Sequence, residues 1–304
     1  MKKIDFSANM AFFRGAVAPM QRMNQKLSDF YQQPEAWKIR AACASGVQIV
    51  FKTDTVTLKW ECKFGEAARE VYGTDIFVDG KLYSFDGPGP HTLELESGRK
   101  LIEISLPHLA VLKDYTLLLD DDAQVEVVPE DRPVLLVCGD SIMQGMTCSS
   151  PARAAAAIAA KACGMVLHNV SVGGVIMRPE TVRDSLEIKA DAVLVALGVN
   201  DIAHKTPMDV FRERTRQVLE MLDKFPGRSF IVTPISSTHE DLLDGIEVIS
   251  GIIRDEHKKF PRVKLIDGQS FFPADDELLC DKLHPNDKGM ELYGKALTEA
   301  IMNA

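Results

Sequence analysis

The hydrophobic pattern of this 304-residue chain changes near residue 131, and this change constrains the fold more than any other feature. Before it, short runs such as Val56–Cys62 alternate apolar and polar residues and are separated by turn residues. Period-two alternation predicts strands with one buried face, here carrying Val56, Leu58, Trp60 and Cys62. After it, continuous apolar runs alternate with helical stretches, as a parallel sheet covered on both faces requires.

The first part of the chain, residues 1–130, is predicted to be a β-sandwich domain. Seven or more short strands at this spacing are typical of a jelly-roll-like sandwich. The predicted strands are Val47–Phe51, Val56–Cys62, Asp75–Val78, Leu82–Phe85, His91–Glu96, Lys100–Leu106 and Tyr115–Leu119. One short helix is predicted before them, within Met20–Tyr31.

The second part, residues 131–304, is predicted to be a three-layer α/β domain of flavodoxin-like type with five parallel strands. The predicted strands are Val134–Cys138, Val166–Val170, Ala192–Leu197, Phe230–Pro234 and Val263–Ile266. Ser150 and Pro151 read as the N-cap and first position of a helix over Ala152–Cys163. In such a sheet, the functional site forms where the strands end.

Composition excludes several classes of partner. The formal net charge is −9 and no basic stripe is present, so nucleic acid is not expected as a partner. A neutral or cationic substrate fits this charge better than a polyanion. No apolar stretch approaches the ~18 residues of a membrane span, so no membrane partner is expected either. Oligomerisation is possible but cannot be read from the sequence.

The cysteines and the N-terminus bear on location. Six cysteines lack metal-binding spacing, which predicts free thiols and no bound metal. The chain starts Met1-Lys2-Lys3, as a signal peptide would, but Asp5 and Arg14 interrupt the apolar run that such a peptide needs. We therefore expect a cytoplasmic protein that needs no cofactor.

Four segments that follow predicted strands carry chemically useful residues. They are Gly139-Asp140-Ser141-Ile142, Asn169-Val-Ser-Val-Gly173-Gly174, Gly198-Val199-Asn200-Asp201 and Asp281-Lys282-Leu283-His284-Pro285-Asn286. A serine hydroxyl becomes nucleophilic when a base accepts its proton, and His284 would be that base for Ser141. Asp281, three residues earlier, would fix the tautomer of the imidazole.

Each segment also has a purely structural interpretation. Gly-Asp-Ser favours ordinary turns, Asn200 or Asp201 could cap one helix, and Asn286 or Asp287 could cap the last one. His284 alone would more often be a surface residue. We favour the functional interpretation because all the segments occur together at strand ends.

These four blocks resemble the SGNH (GDSL) hydrolases, whose blocks supply Ser, Gly, Asn and His in this order. The resemblance implies an oxyanion hole formed by the backbone N–H groups of Ser141 and Gly174 and the side-chain amide of Asn200. Gly173 is the alternative donor to Gly174. Met143 stands where an α/β-hydrolase elbow has its second glycine, which argues against that fold.

Three further residues are predicted to support the site or to line its pocket. Two lie within the four blocks and one follows the third block. Asp140 and Asp201 adjoin the serine and asparagine of the motif, and His204 follows closely enough to reach the pocket mouth.

The first part of the chain carries a second resemblance, through Ser45–Trp60 and Gly73–Phe77. It is similar to the sandwich that precedes the SGNH domain in bacterial two-domain hydrolases, several groups of which are carbohydrate acetylesterases. Trp37, Trp60, Tyr72 and Tyr83 could stack on sugars, although such residues more often lie in a sandwich core, as is expected for Trp60.

The sequence thus predicts a serine esterase that removes small acyl groups, acetyl above all, from a carbohydrate. One alternative is a short-chain lipid or thioester hydrolase, and another is a carbohydrate-binding protein with an inactive SGNH fold. No insertion for a lid is visible, since Gly268–Cys280 is the only long loop between Asn200 and Asp281. A shallow cleft is expected.

Overall fold

The computed structural model describes residues 1–304, and their first part consists mainly of antiparallel strands. The strands are β1 Lys2–Ile4, β2 Phe13–Arg14, β3 Gln48–Thr53, β4 Thr57–Ala67, β5 Thr74–Val78, β6 Lys81–Phe85, β7 His91–Glu94, β8 Lys100–Ser105, β9 Ala110–Leu119 and β10 Val125–Val127. One sheet has the order β1-β9-β4-β7 and the other β10-β3-β8-β5-β6, with β2 beside β3. These sheets fit the predicted β-sandwich, and its jelly-roll topology stays a prediction.

Alternation along β4 places its apolar residues in the sandwich core. Leu58, Trp60 and Cys62 are buried, and Trp60, at 1% exposure, is a core residue as expected. The placement of Val56 on this face was wrong, because Val56 precedes the strand and is exposed. Its N–H instead donates to the Asp120 carboxylate, which follows the neighbouring strand β9.

Two helices lie between β2 and β3. They are α1 Gln25–Phe30 and α2 Glu35–Ala42. The helix predicted within Met20–Tyr31 is shorter than that range because it begins after Asn24, whose side chain accepts from the Leu27 N–H. The sequence did not predict α2. Leu27, Tyr31 and Ala41 pack into a core with residues of the α/β part, so the domain boundary at residue 131 stays a prediction.

Five parallel strands form the sheet of the second part. They are β11 Val134–Gly139, β12 Val166–Asn169, β13 Ala192–Ala196, β14 Arg228–Val232 and β15 Lys264–Ile266. Their order is β12-β11-β13-β14-β15, all parallel. Numbered within this sheet the order is 2-1-3-4-5, which is the flavodoxin-like order. The five predicted parallel strands are therefore confirmed.

Helices cover both faces of this sheet. They are α3 Ser141–Gln144, α4 Ala155–Ala162, α5 Pro179–Ser185, α6 Val199–Ala203, α7 Met208–Lys224, α8 Leu243–His257, α9 Gly268–Phe271 and α10 Asp287–Met302, with short 3₁₀ turns at Met10–Phe12, Pro151–Arg153, Glu240–Leu242 and Asp276–Leu278. No helix combines the length and the apolar composition that crossing a bilayer would need.

The helix predicted over Ala152–Cys163 begins later than expected. Ser150 precedes the 3₁₀ turn without a side-chain capping bond, and α4 starts only at Ala155 because Ala154 has an extended backbone. The Ala152 N–H donates to the buried Asp75 carboxylate at 2.7 Å, which ties this turn to the sandwich.

Alternate residues of the strands supply two separate cores. Leu136 and Val193 face the core under α5, α7 and α8, whereas Leu135 and Leu194 face the core under α4 and α10. With both faces covered, only the carboxyl edge of the sheet remains open for a site.

Arg22 joins the N-terminal segment to this carboxyl edge. Its side chain is 1% exposed and has no carboxylate partner. It donates instead to four backbone carbonyls, those of Cys43, Asn169, Ser171 and Arg40, at 2.7 to 2.9 Å. Burial lowers the pKa of this guanidinium to about 10, so it remains charged at neutral pH.

We expect Arg22→Met to destabilise the protein by about 2–4 kcal/mol in urea unfolding. The substitution leaves the buried carbonyls of Cys43, Asn169 and Ser171 unpaired at ~1–3 kcal/mol each, and the removal of a buried charge offsets part of this cost.

The matched control is Lys26→Met, which removes a cation from the exposed Lys26–Glu187 pair. An exposed pair contributes ~0–1 kcal/mol, so this variant should unfold almost like the parent. Equal stability of the two variants would contradict the assignment of Arg22.

Candidate active site

Ser141 lies in the turn that joins β11 to α3. The strand ends at Gly139 and the helix begins at Ser141, while the Asp140 side chain caps the helix by accepting from the Ile142 N–H at 3.0 Å. A Cβ on Gly139 would lie 2.5 Å from the Cβ of Met143, so this close turn requires glycine. As the first residue of the helix, Ser141 has a backbone N–H without an acceptor inside it.

Ser141, His284 and Asp281 form a continuous hydrogen-bonded chain. The Oγ of Ser141 lies 2.8 Å from Nε2 of His284. On the other side of the ring, Nδ1 lies 2.9 Å from Oδ2 of Asp281 and 3.1 Å from its Oδ1. A base in this position can accept the hydroxyl proton while the carboxylate holds the ring.

Backbone hydrogen bonds hold the loop that carries Asp281 and His284. Lys282 has a left-handed φ of 67°, uncommon for a residue with a side chain. Its carbonyl accepts from Ser237 Oγ at 2.7 Å and from the Thr238 N–H at 3.0 Å. This conformation lets the carboxylate and the imidazole, three residues apart, face each other.

The Asp281 carboxylate is ionised at neutral pH. Its partial burial alone would raise its pKa, but hydrogen bonds from the N–H and the ring of His284 reverse this effect and lower the pKa. The side chain is 51% exposed, so water reaches the outer side of the triad.

The two glycines after β12 differ in their backbone N–H groups. The Gly173 N–H donates to Gln144 Oε1 at 2.8 Å, whereas the Gly174 N–H has no acceptor in the protein. Gly174 has a φ of +81° and is partly exposed. A Cβ on Gly173 would lie 2.1 Å from Met146 Sδ, so neither position accepts a larger residue without strain.

Asn200 lies in the first turn of α6, directly after β13. Gly198 precedes the helix with a φ of +135°, which turns the chain from the strand into α6. The side-chain amide of Asn200 donates one N–H to the Val175 carbonyl at 3.1 Å and, as a primary amide, has a second N–H to donate. Asn200 is therefore not the N-cap of this helix, one of the interpretations that the sequence left open.

The three predicted supporting residues have different surroundings. Asp140 is buried beneath the nucleophile, and Asp201 is buried with its carboxylate accepting from the Met177 N–H at 2.7 Å. Asp201 thus fixes the segment after Gly174 and does not cap α6. His204 ends α6 and is exposed, and its contribution to the pocket stays a prediction.

Three polar residues of the site escaped the sequence analysis. Gln144 accepts from Gly173 and donates to the Arg40 carbonyl at 2.8 Å, and Arg22 binds the carbonyls beside Asn169. Gln144 follows Ser141 by three residues, so its place on the same short helix was a usable signal. Nothing local indicated Arg22 or Arg40.

A small apolar cavity of about 20 Å³ lies beside the turn that carries Ser141, although Ser141 itself does not line it. Its wall is formed by Asp140, Ile142, Met143, Ala196, Leu197, Val199, Val232, Thr233, Pro234, Ile235, Leu283 and Tyr293. Two of these residues flank Ser141 in sequence, and Leu283 precedes His284. Because one water needs ~10–15 Å³, the cavity accommodates one or two groups of the size of a methyl.

Comparison with protein families agrees with this arrangement. The family described as GDSL-like Lipase/Acylhydrolase matches residues 137–292, just over half of the chain, including Ser141, Gly174, Asn200 and His284. The chain belongs to this family. The resemblance seen in the sequence is thereby confirmed, as is the prediction of an enzyme that hydrolyses carboxylic esters. A comparison with curated protein sequences gives no significant match.

Solved structures share the fold over nearly the whole chain. Salicylyl-acyltransferase SsfX3 from a tetracycline biosynthetic pathway has a TM-score of 0.80 at 23% identity, over 96% of this chain and 94% of that one. A GDSL-like protein from Bacteroides ovatus has a TM-score of 0.78 at 20% identity, with the same coverage. The acetyl xylan esterase Est2A from Butyrivibrio proteoclasticus has a TM-score of 0.60 at 16% identity, over 85% and 89%.

The buried Asp140 carboxyl gives a prediction about pH and stability. Burial raises its pKa to about 6, against the partial opposition of the Ile142 hydrogen bond and the nearby His284. The folded protein therefore holds a proton that the unfolded chain has released between pH ~4 and ~6, and stability falls as the pH rises through this window.

We expect Asp140→Asn, which stays neutral, to be more stable than the parent by about 1–3 kcal/mol at pH 7 and to lose this advantage near pH 4. Denaturant unfolding across this range measures it. The exposed Asp122→Asn should show no such trend, and a constant difference for Asp140→Asn would refute the elevated pKa.

Proposed function

We propose that this enzyme is a serine esterase that removes acetyl or similarly short acyl groups from a carbohydrate or related polar alcohol. The chain of contacts from Ser141 through His284 to Asp281 supports this proposal most directly. Ser141 Oγ attacks the ester carbonyl while His284 Nε2 accepts its proton. His284 then returns the proton to the leaving alcohol, and water attacks the acyl-enzyme by the same route.

Three donors would stabilise the oxyanion in each half-reaction. In this proposal they are the N–H groups of Ser141 and Gly174 and the free N–H of the Asn200 amide. Gly174 is preferred to Gly173 because the Gly173 N–H is already bound to Gln144. Donors fixed before the reaction stabilise the developing charge without reorganisation, and each is worth ~3–4 kcal/mol.

Hydrolysis is favoured over acyl transfer by the exposure of the triad. The His284 side chain is itself 17% exposed, so water reaches the base that would activate it. An acyltransferase must keep water from the acyl-enzyme, usually by closing the site. The similarity to a salicylyl-acyltransferase, at 23% identity, is a similarity of fold.

Two observations support a carbohydrate as the alcohol part of the substrate. An acetyl xylan esterase shares the fold, and Trp37 lies half-buried beside Gly174, where a sugar ring could stack on it.

A cytoplasmic location is also part of the proposal, and all six cysteines are free, as predicted.

The first test removes the nucleophile. Ser141→Ala should fold normally and lose several powers of ten in kcat for p-nitrophenyl acetate, because no hydroxyl remains to form the acyl-enzyme. Labelling by a fluorophosphonate should disappear with it. The control is Ser150→Ala, which removes a buried hydroxyl that has no hydrogen-bond partner and should retain both activities. Labelling that persists in Ser141→Ala would refute the proposed nucleophile.

The second test concerns acyl length. The cavity beside Ser141 has room for a methyl but not for a long chain, so kcat/KM should fall steeply from acetyl to butyryl to octanoyl p-nitrophenyl esters. Each methylene without a pocket forgoes ~0.8 kcal/mol of burial.

Ile235 lines this cavity away from the triad, so Ile235→Val should raise the butyryl-to-acetyl ratio at a stability cost of ~0.5–1.5 kcal/mol. An optimum at eight carbons or more in the parent would favour the lipid-hydrolase alternative.

A further inference from the structure

We propose that Arg40 and Arg69 form a subsite for a carboxylate carried by the substrate within a few bonds of the ester. The proposal rests on the esterase function above and narrows its substrate class from neutral esters to anionic ones. Both arginines belong to the N-terminal part of the chain, whereas the triad lies in the C-terminal part.

Arg40 lies directly against the glycine assigned to the oxyanion hole. Its Nη1 donates to the Gly173 carbonyl at 2.7 Å. The same atom would lie 2.9 Å from a Cβ on Gly174, and Nε1 of Trp37 would lie 3.4 Å from it. A substrate whose carbonyl oxygen meets the Gly174 N–H therefore passes within reach of this guanidinium.

The remaining edge of the Arg40 guanidinium is free. Its Nε and Nη2 have no acceptor in the protein, and it has no carboxylate partner. The chain has 44 acidic residues, and other arginines are paired with them, such as Arg132 and Arg254. A lack of carboxylates therefore does not explain why Arg40 has no partner. A half-buried, planar group with a free edge is suited to a bidentate bond with a carboxylate.

Arg69 carries a second positive charge close to Arg40, since it follows β4 by two residues and α2, which carries Arg40, packs against β4. Burial lowers the pKa of Arg40, and repulsion from the nearby Arg69 lowers it further. Arg69 also has no carboxylate partner and is exposed. Two like charges brought together without a counter-ion are unfavourable, and an anion bound between them would relieve this repulsion.

The fold fixes the segments that carry these two residues. The Arg40 carbonyl accepts from both Gln144 and Arg22, which anchors the end of α2. Arg69 lies in the loop after β4, and this loop packs on the catalytic part, where a Cβ on Gly73 would lie 3.2 Å from the Ser149 carbonyl. The net charge of −9 does not oppose this site strongly, since salt screens charges beyond ~8 Å.

The test compares esters with and without a carboxylate but of nearly equal shape. Acetoxyacetate against acetoxyacetamide places the charge on the alcohol side, and monoethyl malonate against ethyl malonamate places it on the acyl side. Acid release at constant pH gives kcat/KM for each. In one of the two pairs the parent enzyme should prefer the anion by about tenfold or more, and that pair identifies the side.

Arg69→Gln should reduce this preference about fivefold and Arg40→Met about tenfold or more, while 0.5 M salt should reduce it in the parent. The control Arg216→Gln removes one positive charge from exposed ion pairs on α7 and should leave the preference unchanged. Because Arg40 also contacts Gly173, Arg69→Gln and Arg69→Glu decide the question if Arg40→Met does not fold.

The outcomes separate this proposal from the function on which it rests. Turnover of the neutral esters that depends on Ser141, with no anion preference or one that survives Arg69→Glu, would overturn the carboxylate subsite alone. Absence of turnover for every ester, including p-nitrophenyl acetate, would overturn the esterase proposal itself.

Discussion

One buried guanidinium holds the site together. Arg22 binds the carbonyls of Asn169 and Ser171, which begin the loop leading to Gly174, and those of Arg40 and Cys43, which end α2. The carbonyls of Cys43, Asn169 and Ser171 would otherwise be buried acceptors without a donor, and that of Arg40 would keep only its bond from Gln144. The guanidinium therefore fixes both chain segments at once. The distance between α2 and the glycine loop therefore depends on this polar contact as well as on the apolar core that Ala41 shares with Val170 and Val172.

The same logic recurs at the other turns of the site. Asp140 caps the helix of the nucleophile, Gln144 binds the N–H of Gly173, and Ser237 holds the carbonyl of Lys282 in the histidine loop. The parallel strands bring these turns to one edge of the sheet. The apolar packing of the strands, however, does not extend into the turns that follow them. Hydrogen bonds with defined directions then fix each group to the few tenths of an ångström that proton transfer and oxyanion binding demand.

Local patterns predicted most of the α/β architecture. Continuous apolar runs located all five parallel strands to within about two residues, because a strand buried on both faces has no polar position to obscure it. The contact between Ser141 and His284 was expected from the four blocks that resemble the SGNH hydrolases, and the catalytic roles of both residues stay a prediction. Arg22 could not be found in this way, since its partner Asn169 is 147 residues distant. The helix α2 was missed because Glu35–Ala42 shows no clean apolar stripe.

The two parts of the chain contribute different groups to the proposed site, as these contacts show. The C-terminal part carries the groups that we propose to react. The turns beside them are tightly packed, because a Cβ on Gly139 or Gly173 would lie within 3 Å of a neighbouring methionine side chain. The N-terminal part supplies the wall beyond Gly174, where Trp37 and Arg40 are only half-buried. We expect substitutions on this wall to change substrate preference without disturbing the contact between Ser141 and His284. The specificity of this enzyme is therefore to be sought in the segment that precedes its catalytic motifs.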